Sequence, residues 1–253
     1  NRVTKLLESK ADINKLDDAM NPYQAEELYH GRVEARIQDF EKSTVKPIIE
    51  LISESKHTIE EVDAYLHARH AIERNKKMLD DNGVIDGSGM SDAEAIDIIN
   101  HYANNPKMND IAQKVYAMNR ERLKLIKQEG LETDEFITKI DGTYNHYVPL
   151  KRIMDNTQQG MRTGRGYDIK GKEVKRAKGS DRAVESPLMN SILSYQETLI
   201  RAEKNKVGQA MYEFTQAYPD SSLYTVKGVQ HAPMYDKYGD VVVTETDEIH
   251  SEA

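Results

Sequence analysis

Apolar residues from position 23 to about position 130 recur at three- and four-residue intervals, the period of helices with one buried face. Across 23–54 the series is Tyr29, Val33, Ile37, Phe40, Ile48 and Leu51. Pro47 lacks an amide hydrogen, so it should kink this helix or begin a second one. Thr58 with Glu61 reads as a capping box, each side chain meeting a backbone amide at a helix start. The helix it opens carries Val62, Tyr65, Leu66, Arg69, Ile72 and Leu79 and should stop at Asp80-Asp81-Asn82-Gly83. Ser91 with Glu94 repeats the signal before a short helix through Ala95, Ile98 and Ile99. Pro106 suits a first helical turn, where an orphan amide is absent anyway. Met108, Ile111, Val115, Met118 and Leu125 stripe the helix that follows, with Gly130 at its end.

Beyond a short helix near Thr133–Ile140 the period is lost. Asp141 to Leu150 combines turn residues with β-formers. Ser186-Pro187 then restarts a helix through Leu188, Ile192, Tyr195, Leu199, Val207, Met211 and Phe214, until Tyr218-Pro219. Leu223–Val229 and Val241–Thr246 alternate or are β-branched, and Tyr238-Gly239-Asp240 offers a turn, which predicts a small hairpin. The expected fold is mainly α: several long antiparallel helices, a basic irregular loop and a small C-terminal β-hairpin. The divisions are 1–150 helical, 151–186 loop, 187–219 one long helix and 220–253 hairpin-like. No internal repeat is visible.

Charge sharpens this outline. The 253 residues carry a net −8, with 31% charged and 38% hydrophobic positions. Lys151 to Arg182 holds ten Lys/Arg and four Asp/Glu, a net +6, so the other 221 residues carry −14. Gly160, Gly164, Gly166, Gly171 and Gly179 fall in the same stretch, as expected of a loop. The low apolar content fits helices with one buried stripe each better than a thick core. No cysteine is present, which excludes a disulfide scaffold, a thiolate zinc site and a cysteine nucleophile. No apolar run approaches the roughly 18 residues that cross a bilayer. Asn1 in place of Met, and a C-terminus just past a strand-like run, lead to the expectation of an excerpt from a longer polypeptide or a processed product.

Candidate chemistry is sparse. His67, His70 and Glu73 lie at i, i+3 and i+6 on one helix, whereas a helical zinc pair prefers histidines at i and i+4. Polar residues flanking the Leu66–Ile72 stripe are the better account, and a metal-dependent enzyme using these three ranks last. Glu27 and His30 make one Glu-x-x-His where a di-metal bundle needs two. The glycines at 160, 164 and 166 have no strand before them and no Gly-Lys-Ser/Thr after them, so they form no phosphate loop. The acidic Asp80–Asp92 loop fits no calcium register, because with Gly87 sixth, Val84 takes a ligand position. No catalytic residue, metal site or cofactor is expected. The basic stretch remains, with Lys151, Arg152, Arg162, Arg165, Lys170, Lys172, Lys175, Arg176 and Lys178 as candidate phosphate contacts. Its other reading is a loop docked on the acidic helices of its own protein.

Four segments carry a resemblance. They are Ala64-Tyr65-Leu66-His67-Ala68-Arg69-His70-Ala71-Ile72-Glu73-Arg74-Asn75, Gly87-Ser88-Gly89-Met90-Ser91-Asp92-Ala93-Glu94-Ala95, Tyr147-Val148-Pro149-Leu150-Lys151-Arg152 and Arg201-Ala202-Glu203-Lys204-Asn205-Lys206-Val207-Gly208-Gln209-Ala210. In this order the chain resembles a helical domain of the very large polyvalent proteins of tailed bacteriophages. Those proteins are packaged in the virion and are similar to internal, DNA-ejection-associated proteins. The resemblance implies a connecting helical region between enzymatic modules, with no catalytic residue to carry over. It implies a place in the virion interior, then the host envelope or cytoplasm. The implied partners are other copies or segments of a large virion protein, with DNA as a further candidate. The expected function is therefore structural, with nucleic-acid binding through 151–182 as the alternative.

Overall fold

A computed structural model describes residues 21–150 and 186–219, together with the backbone of 234–235 and 241–242. The described chain is mainly helical. Helix α1 spans Pro22–Phe40, and a π-helical turn at Glu41–Val45 joins it to α2, Lys46–Ser55. Then come α3 Ile59–Asn82, α4 Asp92–His101, α5 Pro106–Gln128, α6 Asp134–Thr143 and α7 Pro187–Ala217. Strands β1 Met234–Tyr235 and β2 Val241–Val242 pair antiparallel, Met234 opposite Val242. The hairpin expected from arms 223–229 and 241–246 is not seen: 223–229 and 243–246 lie outside the described residues, and β2 pairs with 234–235 instead.

The helix predicted over 23–54 is two helices, for a local reason. Pro47 has no N–H, and its ring would press on the carbonyl of Ser43 in a regular helix. The π turn widens the backbone just there, a usual way to absorb such a conflict. Both capping boxes form. Thr58 Oγ1 accepts from the Glu61 amide at 3.2 Å, and Glu61 Oε2 accepts from the Thr58 amide at 2.8 Å. Ser91 and Glu94 make the same exchange at 3.3 and 3.0 Å. Helix α3 runs through Asp80 and Asp81 to a left-handed cap at Gly83, φ 66°, and buries Met78 while Leu79 faces outward. Likewise α6 continues through Asp141–Thr143, so the irregular segment is Tyr144–Leu150 alone.

Contacts divide the chain into two units, residues 30–205 and residues 1–29 with 206–253. In the first, Ile48, Ile52, Val62, Leu66, Met108, Ile111, Val115, Met118, Val148, Leu188 and Leu199 belong to one buried cluster. Phe40 of α1 stacks on Tyr195 of α7, centroids 4.2 Å apart. Alanines 68, 71 and 95 let α3 and α4 pack closely, and Leu123, Ile126 and Ile137 join α5 to α6. In the second unit Asn21 caps α1, its Oδ1 accepting from the Gln24 amide at 3.1 Å. Phe214, fully buried, stacks on Tyr218 at 5.1 Å.

Candidate functional site

The densest polar cluster lies on α3, within the segment 64–75. Glu73 holds His146 twice: Oε2 accepts from its backbone amide at 3.1 Å, and Oε1 lies 2.7 Å from its Nδ1. Arg69 donates one N–H to His146 Nε2 at 2.5 Å and another to the Tyr65 hydroxyl at 2.9 Å. A guanidinium can only donate, so His146 Nε2 is an acceptor and the ring proton sits on Nδ1, directed at Glu73. Tyr116 of α5 meets the His146 ring edge-on at 5.3 Å. Its hydroxyl finds no hydrogen-bond partner among the described residues, and burial pushes its pKa upward.

His70 is buried completely beneath Tyr144 and Tyr147, with ring centroids at 5.0 and 5.8 Å. Burial holds its pKa well below the usual imidazole value, and the charges of Arg74, His67 and His146 push the same way, against a smaller opposing effect of the His146 backbone. His67 points elsewhere, its Nε2 donating to the Ser88 carbonyl at 3.2 Å. The three residues weighed as a metal set thus face three ways. Among the described residues no group of three His, Cys, Asp or Glu side chains is placed to hold a metal. Glu27 and His30 are both exposed.

Asn75 organises the next motif. Its Oδ1 accepts from the Ser88 amide at 2.9 Å, and its Nδ2 donates to the Met90 carbonyl at 2.9 Å and to Asp92 Oδ1 at 2.8 Å. Gly87 lies against Met78, so close that a Cβ there would stand 2.7 Å from the Met78 Cβ and Cγ. The acidic loop after α3 is therefore a structural clamp.

A second carboxylate–imidazole pair joins α3 to the chain before it. His57 Nδ1 lies 3.3 Å from Glu61 Oε2, and its Nε2 lies 2.8 Å from Asn105 Nδ2. Asn105 caps α5 through its Oδ1, which accepts from the Met108 amide, so its Nδ2 is left to donate to His57. In both Glu–His pairs the nitrogen that a general base would turn to its substrate already accepts an N–H. Two shallow depressions of about 480 and 520 Å3 lie along α3 and α4, lined by Glu60, Glu61, Asp97, Ile98 and Tyr102 in one and His67, Met90, Glu94 and Asp97 in the other. Neither is lined by Glu73, His146 or His70.

A buried polar ladder fastens α7. Asn119 donates to Ser191 Oγ at 3.0 Å, and Arg122 Nε donates to the Ser194 carbonyl at 3.0 Å and to Thr198 Oγ1 at 2.8 Å. Glu203, 1% exposed, receives Arg36 at 2.5 Å and lies 3.2 Å from Arg32. Burial disfavours the Arg36 charge, but its bonds to Glu203 and Glu129 outweigh that and raise its pKa. At the start of α7, Asp63 accepts from the Leu188 amide at 2.9 Å.

Lys151, Arg152, Arg162, Arg165, Lys170, Lys172, Lys175, Arg176 and Lys178 all lie outside the described residues. The pattern of the sequence did not reveal His146, Asn75, Arg122 or Glu203. Two signals were present: Arg122 sits four after Met118 and three before Leu125, and Glu203 sits four from both Leu199 and Val207. A charge on an apolar stripe announces a buried partner. No described helix is long and apolar enough to cross a membrane. No protein-family model, curated protein or solved structure matches the chain.

Proposed function

We propose that the chain is a structural and interaction segment of a large internal virion protein of a tailed bacteriophage, delivered into the host with the genome. One observation carries the structural half of this reading. The chemistry-bearing residues of the motif at 64–75 bond to the motif at 87–95 and to His146, just before the motif at 147–150. Glu73, Arg69, His67 and Asn75 all act as fasteners. The virion half rests on the resemblance of those motifs. Its partners are other copies or other segments of the virion protein. Mass spectrometry of purified particles of the encoding phage tests this reading. Peptides from 21–219 should appear in particles, and their confinement to infected-cell lysate would reject it.

A second reading has the +6 charge of Lys151–Arg182 in its favour: salt-dependent, sequence-independent contact with nucleic acid. Affinity at two salt concentrations tests it. A steep loss with salt, abolished by neutralising Arg162, Arg165, Lys172, Lys175 and Arg176, supports it, and a flat response rejects it.

A further inference from the structure

The segment Tyr144–Leu150 follows α6 and lies against α3 as irregular backbone. Val148 is buried in the main cluster with Leu150 packed against it, Tyr147 packs against Leu123, Ile126 and Ile137 while its carbonyl accepts from Asn119, and two imidazoles tie the segment to α3. One is His146, which the segment contributes and which sits between Glu73 and Arg69. The other is His70, which α3 contributes and which the rings of Tyr144 and Tyr147 cover.

We propose that Tyr144–Leu150 is a pH-operated latch, closed on α3 while His70 is neutral and released when it takes up a proton. The geometry supplies the reason: His70 is fully buried, and the rings of Tyr144 and Tyr147 cover it. His70 has Arg74 one turn away on its own helix, and His67 and His146 are the other bases near it. The neighbouring carboxylate, Glu73, is spent on His146. From α5, Tyr116 faces His146, and Tyr144 on the latch senses Lys77 and Asp81 beyond it. Nothing in this set offers His70 a negative counter-charge, so an imidazolium there has to reach water. The cover it must lift is the Tyr144 and Tyr147 pair.

Burial depresses the affinity of closed His70 for a proton, as the geometry requires. The opened segment returns it to an ordinary imidazole. Opening therefore binds a proton, and at pH 5.5, one unit below the ordinary value, the open population grows about tenfold through His70 alone.

Hydrogen–deuterium exchange of the full chain at pH 7.5 and 5.5, corrected for intrinsic rates, tests the latch. Peptides spanning 144–150 should exchange about tenfold more readily at pH 5.5, while those spanning 111–126 of α5 keep their protection. His70→Phe keeps an aromatic ring under the two tyrosines and takes up no proton, so most of the acid response should vanish. Should that variant not fold, His70→Gln serves in its place. Unchanged protection of 144–150 would overturn the proposal. So would an equal loss across α5, or a full acid response in the His70 variant.

Discussion

Replacing Asn75 with alanine isolates the clamp that joins α3 to the loop before α4. Three hydrogen bonds end on this side chain, but their losses differ. The Met90 carbonyl still accepts from Ser88 Oγ at 3.0 Å, and Asp92 lies at the exposed start of α4, where water replaces the amide. The Ser88 amide has no such recourse, because Ser88 is fully buried and Asn75 Oδ1 is its acceptor. Stranding that donor costs about 1–3 kcal/mol, and the void left by the shortened side chain adds about 1 kcal/mol. The expected loss is about 2–4 kcal/mol, or roughly 4–16 °C in Tm for a chain of this size. Urea unfolding followed by far-UV circular dichroism measures it, since the chain has no tryptophan. Asn75→Asp is the control: it keeps the acceptor for Ser88 but sets a carboxylate against Asp92. Its deficit at neutral pH should shrink as the pH falls toward the ordinary aspartate value, where one of the pair is protonated. An Asn75→Ala variant within about 0.5 kcal/mol of wild type would refute the reasoning, because that is the range of inert surface changes.

Other substitutions probe the remaining fasteners. Glu203→Ala leaves Arg36 with Glu129 alone and should cost about 3 kcal/mol, the low end for breaking a buried pair, in the same urea assay. Gly87→Ala drives a methyl group into the α3 side of the clamp and should cost about 1–3 kcal/mol. Gly142→Ala, where a Cβ meets nothing within 4 Å inside α6, should instead stabilise by about 0.5–1 kcal/mol. Burial raises the Asp63 carboxyl above its usual range, with hydrogen bonds from Ser186 and Leu188 opposing and the Glu60 charge assisting. The native state thus holds this proton more tightly than the unfolded chain, and the group's contribution to stability falls as pH rises from the ordinary aspartate value through the raised one. Asp63→Asn should remove that part of the pH dependence in urea midpoints, while a profile identical to wild type would contradict the assignment.

Local signals in the sequence carried the helices well. Capping residues act within three positions of each other, so Thr58 with Glu61, Ser91 with Glu94 and Pro106 were legible where they stand. Breaks that depend on strain were less so: Pro47 announced a disturbance, but its absorption into a π turn before the proline is a property of the whole joint. The site was mostly hidden because its bonds are long in sequence. Glu73 meets His146 across 73 positions and Arg36 meets Glu203 across 167. No spacing rule connects such pairs. His67, His70 and Glu73 drew notice as near neighbours on one helix, yet the structure shares them among three different partners. Asn75 sits four residues after Ala71 and three before Met78 on the buried stripe, a polar misfit that marks a clamp once its loop is seen.

The proposed role, a structural segment of a phage virion protein that travels with the genome, is tested most directly by comparing filled with emptied particles. Quantitative mass spectrometry should find peptides of residues 21–219 in filled particles of the encoding phage and find them lost once the particles have ejected their DNA. The same copy number in both, or absence from both, would contradict the account.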